Sequence, residues 1–160
     1  MSTIDHQHHL AKAIELATRN VLNSGGPFGA VLVTADGRAF EGVNRVTADN
    51  DPTAHGEVCA IRNACSELGT FDLSGATLYS SCEPCPMCLA ASLWARIDSV
   101  YFAADRHDAA RGGFDDAVFY EYFETPAAER SMPVHQLPLT APDATEPFST
   151  WQSLDTRIDY

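Results

Sequence analysis

The apolar positions of this chain change period several times, and each change predicts an element. Leu10, Ala13, Ile14, Ala17 and Val21 recur at intervals of three and four, the spacing that gathers side chains on one helix face, and Thr3 or Asp5 is placed to cap that helix. Asn23-Ser24-Gly25-Gly26-Pro27 ends the pattern. Apolar residues 30–33, the turn signal Ala35-Asp36-Gly37 and then residues 40–43 predict a β-hairpin at the start of a sheet. After Asp49-Asn50-Asp51-Pro52, Val58, Ile61, Cys65 and Leu68 return to helical spacing. Residues 55–68 are therefore expected to form a second helix, with His55 and Glu57 in its first turn.

Residues 77–80 read as a strand, 86–95 as a helix and 100–103 as another strand. Such a β-α-β unit requires a parallel strand pair and a right-handed crossover. Pro84 and Pro86 mark its strand-to-helix junction, where a missing amide proton costs little. Farther on, Arg111-Gly112-Gly113-Phe114 predicts a turn, 115–123 a helix, 126–147 a proline-punctuated stretch and 148–158 a short terminal helix. The 160 residues, 45% of them hydrophobic, suit a single domain over 1–160. Trp94 is expected in the core of its apolar helix, as are Cys59 and Cys65 in theirs. His6, His8 and His9 are expected to face solvent.

The chemistry concentrates in two places. His55-Gly56-Glu57 and Pro84-Cys85-Pro86-Met87-Cys88 together offer one imidazole and two thiolates to a Zn²⁺ ion. The fourth tetrahedral position is left to water, with Glu57 near enough to carry that water's proton. A closed structural zinc site would be expected to show a second C-x-x-C or an H-x-x-x-H pair, and the sequence has neither arrangement. Two C-x-x-C registers overlap, Cys82 with Cys85 and Cys85 with Cys88. The second places both sulfurs three residues apart on one helix edge, which makes Cys82 a buried or neighbouring thiol. Both thiols of that pair would lie at the positive end of a helix, which favours the ionised sulfur.

The formal net charge is −12, from 10 basic and 22 acidic residues. A protein that grips a nucleic-acid backbone needs Lys and Arg, so a small neutral base is the more natural substrate, and no nucleic-acid partner is expected. Nothing approaches the roughly 20 apolar residues of a membrane span, and the N-terminus lacks a basic-then-apolar leader pattern. The expectation is a cytoplasmic protein with no membrane partner.

H-x-E followed by P-C-x-x-C is the signature of zinc nucleobase deaminases. The chain resembles the cytidine and nucleobase deaminase superfamily, and within it the small bacterial guanine deaminases. The resemblance rests on Pro27-Phe28-Gly29-Ala30, Asn44-Arg45, Asp51 to Val58, Ser81 to Cys88, Gly113-Phe114-Asp115-Asp116 and Asp159-Tyr160. It implies a three-layer α/β/α fold around a mixed five-stranded sheet, usually assembled as a homodimer. It implies a zinc enzyme that converts guanine to xanthine and ammonia, with His55, Cys85 and Cys88 as ligands and Glu57 as proton carrier. For the base it implies Asn44 as hydrogen-bond partner, Phe28 or Phe114 against the ring, and Asp116 or Asp115 accepting ring N–H groups. Tyr160 would close the pocket, its own or a partner subunit's if residues 125–160 extend or exchange between subunits. Other readings are a deaminase of another aminated ring (cytosine, guanosine, a pterin, a triazine such as ammeline), a tRNA adenosine deaminase, which the acidity disfavours, and a non-enzymatic zinc-stabilised binding module. Related purine deaminases commonly carry alanine where this chain has Gly56, a substitution expected to open space beside the metal.

Overall fold

A computed structural model describes the backbone of residues 3–160 and the side chains from residue 5 onward. The chain divides into two compact units, one ending at Glu121 and the other Tyr122–Tyr160. In the first unit the elements are α1 (Thr3–Leu22), β1 (Gly29–Val33), β2 (Ala39–Val43), α2 (Val46–Asp49), α3 (Gly56–Leu68), β3 (Thr77–Cys82), α4 (Pro86–Trp94), β4 (Ser99–Ala104) and α5 (Arg106–Arg111). Then come α6 (Ala117–Glu124), a single 3₁₀ turn at Ala127–Glu129 and α7 (Glu146–Ser153).

The sheet runs β2-β1-β3-β4. β1 is antiparallel to both β2 and β3, whereas β3 and β4 are parallel, as the β-α-β pattern requires. Side chains of β1 alternate between two apolar layers. Ala30 and Leu32 join Phe40, Ala60, Ile61, Ala64 and Leu78 under α3. Val31 and Val33 join Ala13, Leu16 and Tyr79 under α1. The central strands β1 and β3 are thus enclosed on both faces, and removing the buried Leu32 side chain would cost about 2–5 kcal/mol.

Four strands form where the resemblance implied five. Beyond β4 the chain turns into α5 and α6, and no described residue after Ala104 lies in a strand. Pro126, Pro133, Pro138, Pro142 and Pro147 punctuate the chain beyond α6, and each removes an amide that a sheet ladder would need. The terminal helix runs Glu146–Ser153, shifted toward the N-terminus from the expected 148–158. Asp5 lies inside the first turn of α1 and not at its cap; the Thr3 side chain falls outside the described residues.

Two expectations about aromatic and histidine positions are corrected. His6 does not simply face solvent: its Nδ1 is 2.8 Å from the Tyr79 hydroxyl and its ring stacks on Tyr101 at 4.3 Å. His9 also meets the Tyr79 ring, at 4.9 Å, and burial holds its pKa below the usual imidazole value. The N-terminal helix is therefore pinned to β3 and β4 partly by imidazoles. Trp94 is 72% exposed. The helix α4 is apolar nearly all round, and its buried positions are Cys88 and Ser92, so periodicity gave no guide to which face turned inward.

Gly42 permits the approach that matters most to the site. A Cβ at this position of β2 would lie 2.2 Å from the Gly56 carbonyl oxygen and 2.3 Å from the Ala60 amide nitrogen, both backbone atoms of α3. At Gly56 itself a Cβ would point at the Gly29 backbone, 3.3 Å from Cα. Gly56 therefore helps α3 sit close on β1, which corrects the expectation that it opens space beside a metal. Gly42→Ala should destabilise by about 1–3 kcal/mol through overpacking, read as a Tm lowered by roughly 3–10 °C. In Gly56→Ala the tight contact is offset by up to about 1 kcal/mol of helix preference, so Tm and base preference should change little in a thermal melt and an ammonia-release assay.

Candidate active site

Two helices begin at this site with the same local geometry. His55 is the N-cap of α3 at φ −71°, ψ 157°, and Cys85 is the N-cap of α4 at φ −66°, ψ 168°, followed by Pro86 at the first helical position. Both caps are extended, and neither side chain bonds back to its own helix. The imidazole and the thiol are thus turned toward one another instead of toward their own amides. Cys88, one turn into α4, completes the set.

The separations match what one zinc ion needs. His55 Nδ1 lies 3.6 Å from Cys85 Sγ and 3.4 Å from Cys88 Sγ, and the two sulfurs are 3.6 Å apart. Tetrahedral ligands at ordinary Zn–S and Zn–N lengths would be separated by about 3.6–3.8 Å. Among the described residues these three form the one group with metal-ligand spacing. Their protonation is coupled. The hydrogen bond between the two sulfurs chiefly pulls the Cys85 thiol down to about 4, and the same bond together with burial pushes Cys88 up. The hydrogen bond to Cys85 raises His55 above the usual imidazole value. A divalent ion held by the three groups would favour the ionised form of both sulfurs.

Glu57 is buried, at 6% exposure. Its Oε1 accepts from Ser80 Oγ at 2.9 Å and its Oε2 from Cys88 Sγ at 3.4 Å. Burial pushes its carboxyl up, opposed by those hydrogen bonds, which is the direction a proton carrier at neutral pH requires. Cys82 stands apart from the ligand set. Its Sγ donates to the Asp105 carbonyl at 3.7 Å, and burial pushes its thiol up to about 11. This geometry favours the Cys85–Cys88 register.

A cavity of about 520 Å³ opens over these groups, with Phe28, Asn44, Phe114, Asp115 and Asp116 all on its wall. Asn44 is buried, and its Oδ1 accepts from the Val46 amide at 3.3 Å. Phe28 and Phe114 meet edge to face at 5.1 Å. Asp115 accepts from the Ala117 amide at 3.0 Å, so it starts α6 as well as lining the pocket. Burial, and then the nearby Cys85, raise the Asp116 carboxyl. Tyr160 belongs to the other unit, where it is 76% exposed and edge-on to Trp151.

The sequence reading missed several groups here. Ser80, on Glu57, was foreshadowed only by being one of the polar residues in a strand that is almost wholly buried. The helices α2 and α5 were not expected. α5 had a visible signal in Asp105 and Asp108, which form a reciprocal capping box. Its Arg106 lines the pocket and packs over the Tyr120 ring at 4.7 Å. The Arg106 amide donates to Glu83, and the Tyr120 hydroxyl donates to the Pro84 carbonyl, both at 3.0 Å. The loop that carries Cys85 is braced from behind by these contacts.

The ligand assignment separates the cysteines by metal content. Cys85→Ser and Cys88→Ser should bind zinc at least about tenfold more weakly, whereas Cys82→Ser should keep one zinc per chain. Elemental analysis after dialysis against a mild chelator reads the difference.

Comparison with known proteins agrees with this geometry. Residues 3–104 match the family model described as the cytidine and deoxycytidylate deaminase zinc-binding region. The chain is 46% identical to the guanine deaminase of Bacillus subtilis over 98% of its own length and 100% of that protein's. It is 42% identical to a tRNA-specific adenosine deaminase of Agrobacterium fabrum, over 68% of this chain and 69% of that one. The crystal structure of the Bacillus subtilis guanine deaminase superposes with a TM-score of 0.91, covering 100% of this chain and 99% of the other. A guanine deaminase structure from Nitrosomonas europaea matches at TM-score 0.63 and 33% identity, over 68% and 63% of the two chains. With the zinc-ligand geometry, the buried glutamate and these likenesses in agreement, the chain belongs to the cytidine and deoxycytidylate deaminase family.

Proposed function

We propose that this protein is a zinc-dependent aminohydrolase that converts guanine and water to xanthine and ammonia. The observation that carries the chemistry is Glu57, a buried carboxylate held by Ser80 against Cys88 and facing the same cavity as His55 and Cys85. The end-to-end likeness to a guanine deaminase supports the choice of base.

His55, Cys85 and Cys88 would hold the zinc, which supplies Lewis-acid activation of a water molecule. Glu57 takes that water's proton and delivers it to the ring nitrogen beside the attacked carbon. It then takes the second proton from the hydroxyl newly bonded to that carbon and passes it to the amine, so that the C–N bond breaks, the carbonyl forms and nitrogen leaves as ammonia. The Ser80 hydrogen bond fixes one carboxylate oxygen and leaves the other to carry protons.

Asn44 presents its amide to the base, Phe28 and Phe114 cover the ring face, and Asp116, with Asp115 as the alternative, accepts ring N–H groups. Guanine carries several donors on one edge, which suits a wall with carboxylates. The same wall opposes phosphate: Glu57, Glu83, Asp115 and Asp116 face it with Arg106 as the one guanidinium among the described lining residues. Together with the net charge of −12, this favours a free base over a nucleotide or RNA. Tyr160 is proposed to close the pocket from residues 125–160, within its own subunit or in a partner.

A homodimer is part of the reading. Leu89, Leu93 and Trp94 of α4 and Phe102 of β4 are large apolar side chains left exposed, at 40%, 78%, 72% and 45%, which on a protein of this size signals a contact surface. We take residues 1–160 as one functional domain. No described helix is long and apolar enough to cross a membrane, and a cytoplasmic location is proposed.

Ammonia release from guanine, guanosine, cytosine, adenine and ammeline tests the base: guanine should be the fastest substrate, and turnover of cytosine or a nucleoside without guanine would reject the assignment. Glu57→Ala should keep its zinc and lose about 10²–10⁴ in kcat; substantial remaining turnover would remove Glu57 from the mechanism.

A further inference from the structure

We propose that Asn20, on the last turn of α1 and outside the pocket wall, is a positioning residue that sets base affinity by fixing Asn44 and the Gly25-Gly26 rim. The proposal rests on the reading of Asn44 as a base-recognition residue. The Asn20 side-chain amide Nδ2 donates to two backbone carbonyls at once, Gly26 O and Asn44 O, each at 2.8 Å. Those carbonyls belong to two separate loops that both line the candidate pocket. The Asn20 carbonyl in turn accepts from the Gly25 amide at 2.8 Å. One residue thus ties the end of α1 to both pocket loops.

The two glycines make this clamp possible. A Cβ on Gly25 would fall 2.4–2.6 Å from the atoms of the Asn20 carboxamide, so that group occupies the space a side chain there would need. A Cβ on Gly26 would fall 2.8 Å from Asn44 Oδ1, so the Asn44 amide lies against the backbone that Asn20 holds. The strands close the frame: the Asn44 amide donates to Phe28 O at 2.9 Å, next to the ring proposed to cover the base. Loss of the clamp would free the Asn44 backbone without removing any group that touches substrate or zinc. Its signature is therefore in binding and not in chemistry.

Four variants test this: Asn20→Ala, Asn20→Asp, Gly25→Ala and Asn44→Ala, with the Asn20→Ala/Asn44→Ala pair, each measured for guanine kcat and KM, zinc content and Tm. Asn20→Ala should raise KM about tenfold, as expected for two lost hydrogen bonds, with kcat within about threefold and zinc unchanged. Asn20→Asp is near-isosteric but presents acceptors to two carbonyls, so it should raise KM more than Ala does. Gly25→Ala keeps Asn20 but displaces its carboxamide, and should reproduce the Asn20→Ala kinetics. In the pair, Asn20→Ala should add little to Asn44→Ala, because coupled residues are not additive. A KM unchanged in Asn20→Ala, a loss confined to Tm or kcat, or a full effect persisting in the Asn44→Ala background would overturn the role of Asn20. A wild-type KM in Asn44→Ala alone would instead reject the reading of Asn44, and the Asn20 proposal would fall with it.

Discussion

The site depends on two helix N-termini being brought close enough for their capping residues to reach each other. His55 opens α3 and Cys85 opens α4, and an imidazole and a thiol that would elsewhere bond to their own helices converge instead. The positive ends of both helices meet the negative sulfurs, which lowers the cost of holding thiolates together. Backbone packing sets the distance: α3 lies against β2 at a point where Gly42 leaves no room for a Cβ, while β3 runs directly into the loop before Cys85. A ligand separation near 3.5 Å is thus a consequence of how closely α3 packs on the sheet. The tight backbone contact between Gly42 and Gly56 thus helps to set where the neighbouring His55 imidazole stands.

The same arrangement explains why one carboxylate can be buried here. Glu57 sits two residues past the His55 cap, in the first turn of α3, and would be costly to enclose alone. Ser80, from the centre of β3, donates to one of its oxygens, and the Cys88 sulfur of α4 lies 3.4 Å from the other, so both flanking elements meet the carboxylate. The result is a group whose protonated form is favoured by burial and whose ionised form is favoured by hydrogen bonds. That balance suits repeated proton transfer better than either influence would alone.

Much of this was legible in the sequence because it is local. The period of α1, the 35–37 turn, the helix from His55 and the β-α-β unit around Pro84 each follow from spacing over a dozen residues, and the structure has them all. The grouping of Cys88, and not Cys82, with His55 and Cys85 was also readable, since it needed only the geometry of one helix turn. The features that were not legible depend on contacts distant in sequence. Trp94 and Leu93 point outward because small Cys88 and Ser92 pack inward, and an all-apolar helix carries no pattern that says so. His6 meets Tyr79 across 73 positions. Asn20 carries no signal in the sequence, since its two acceptors lie in loops that only the folded sheet brings together. The fifth strand was carried over from a resemblance, and the five prolines after Glu124 argue against it more strongly than likeness argued for it.

The central claim is that zinc here has three protein ligands and leaves one position for chemistry. X-ray absorption at the zinc edge of the wild-type enzyme tests it most directly. The account predicts two sulfur neighbours at about 2.3 Å and two nitrogen or oxygen neighbours at about 2.0–2.1 Å. Three sulfur neighbours would bring Cys82 into the shell, close the site, and contradict the reading of this centre as catalytic.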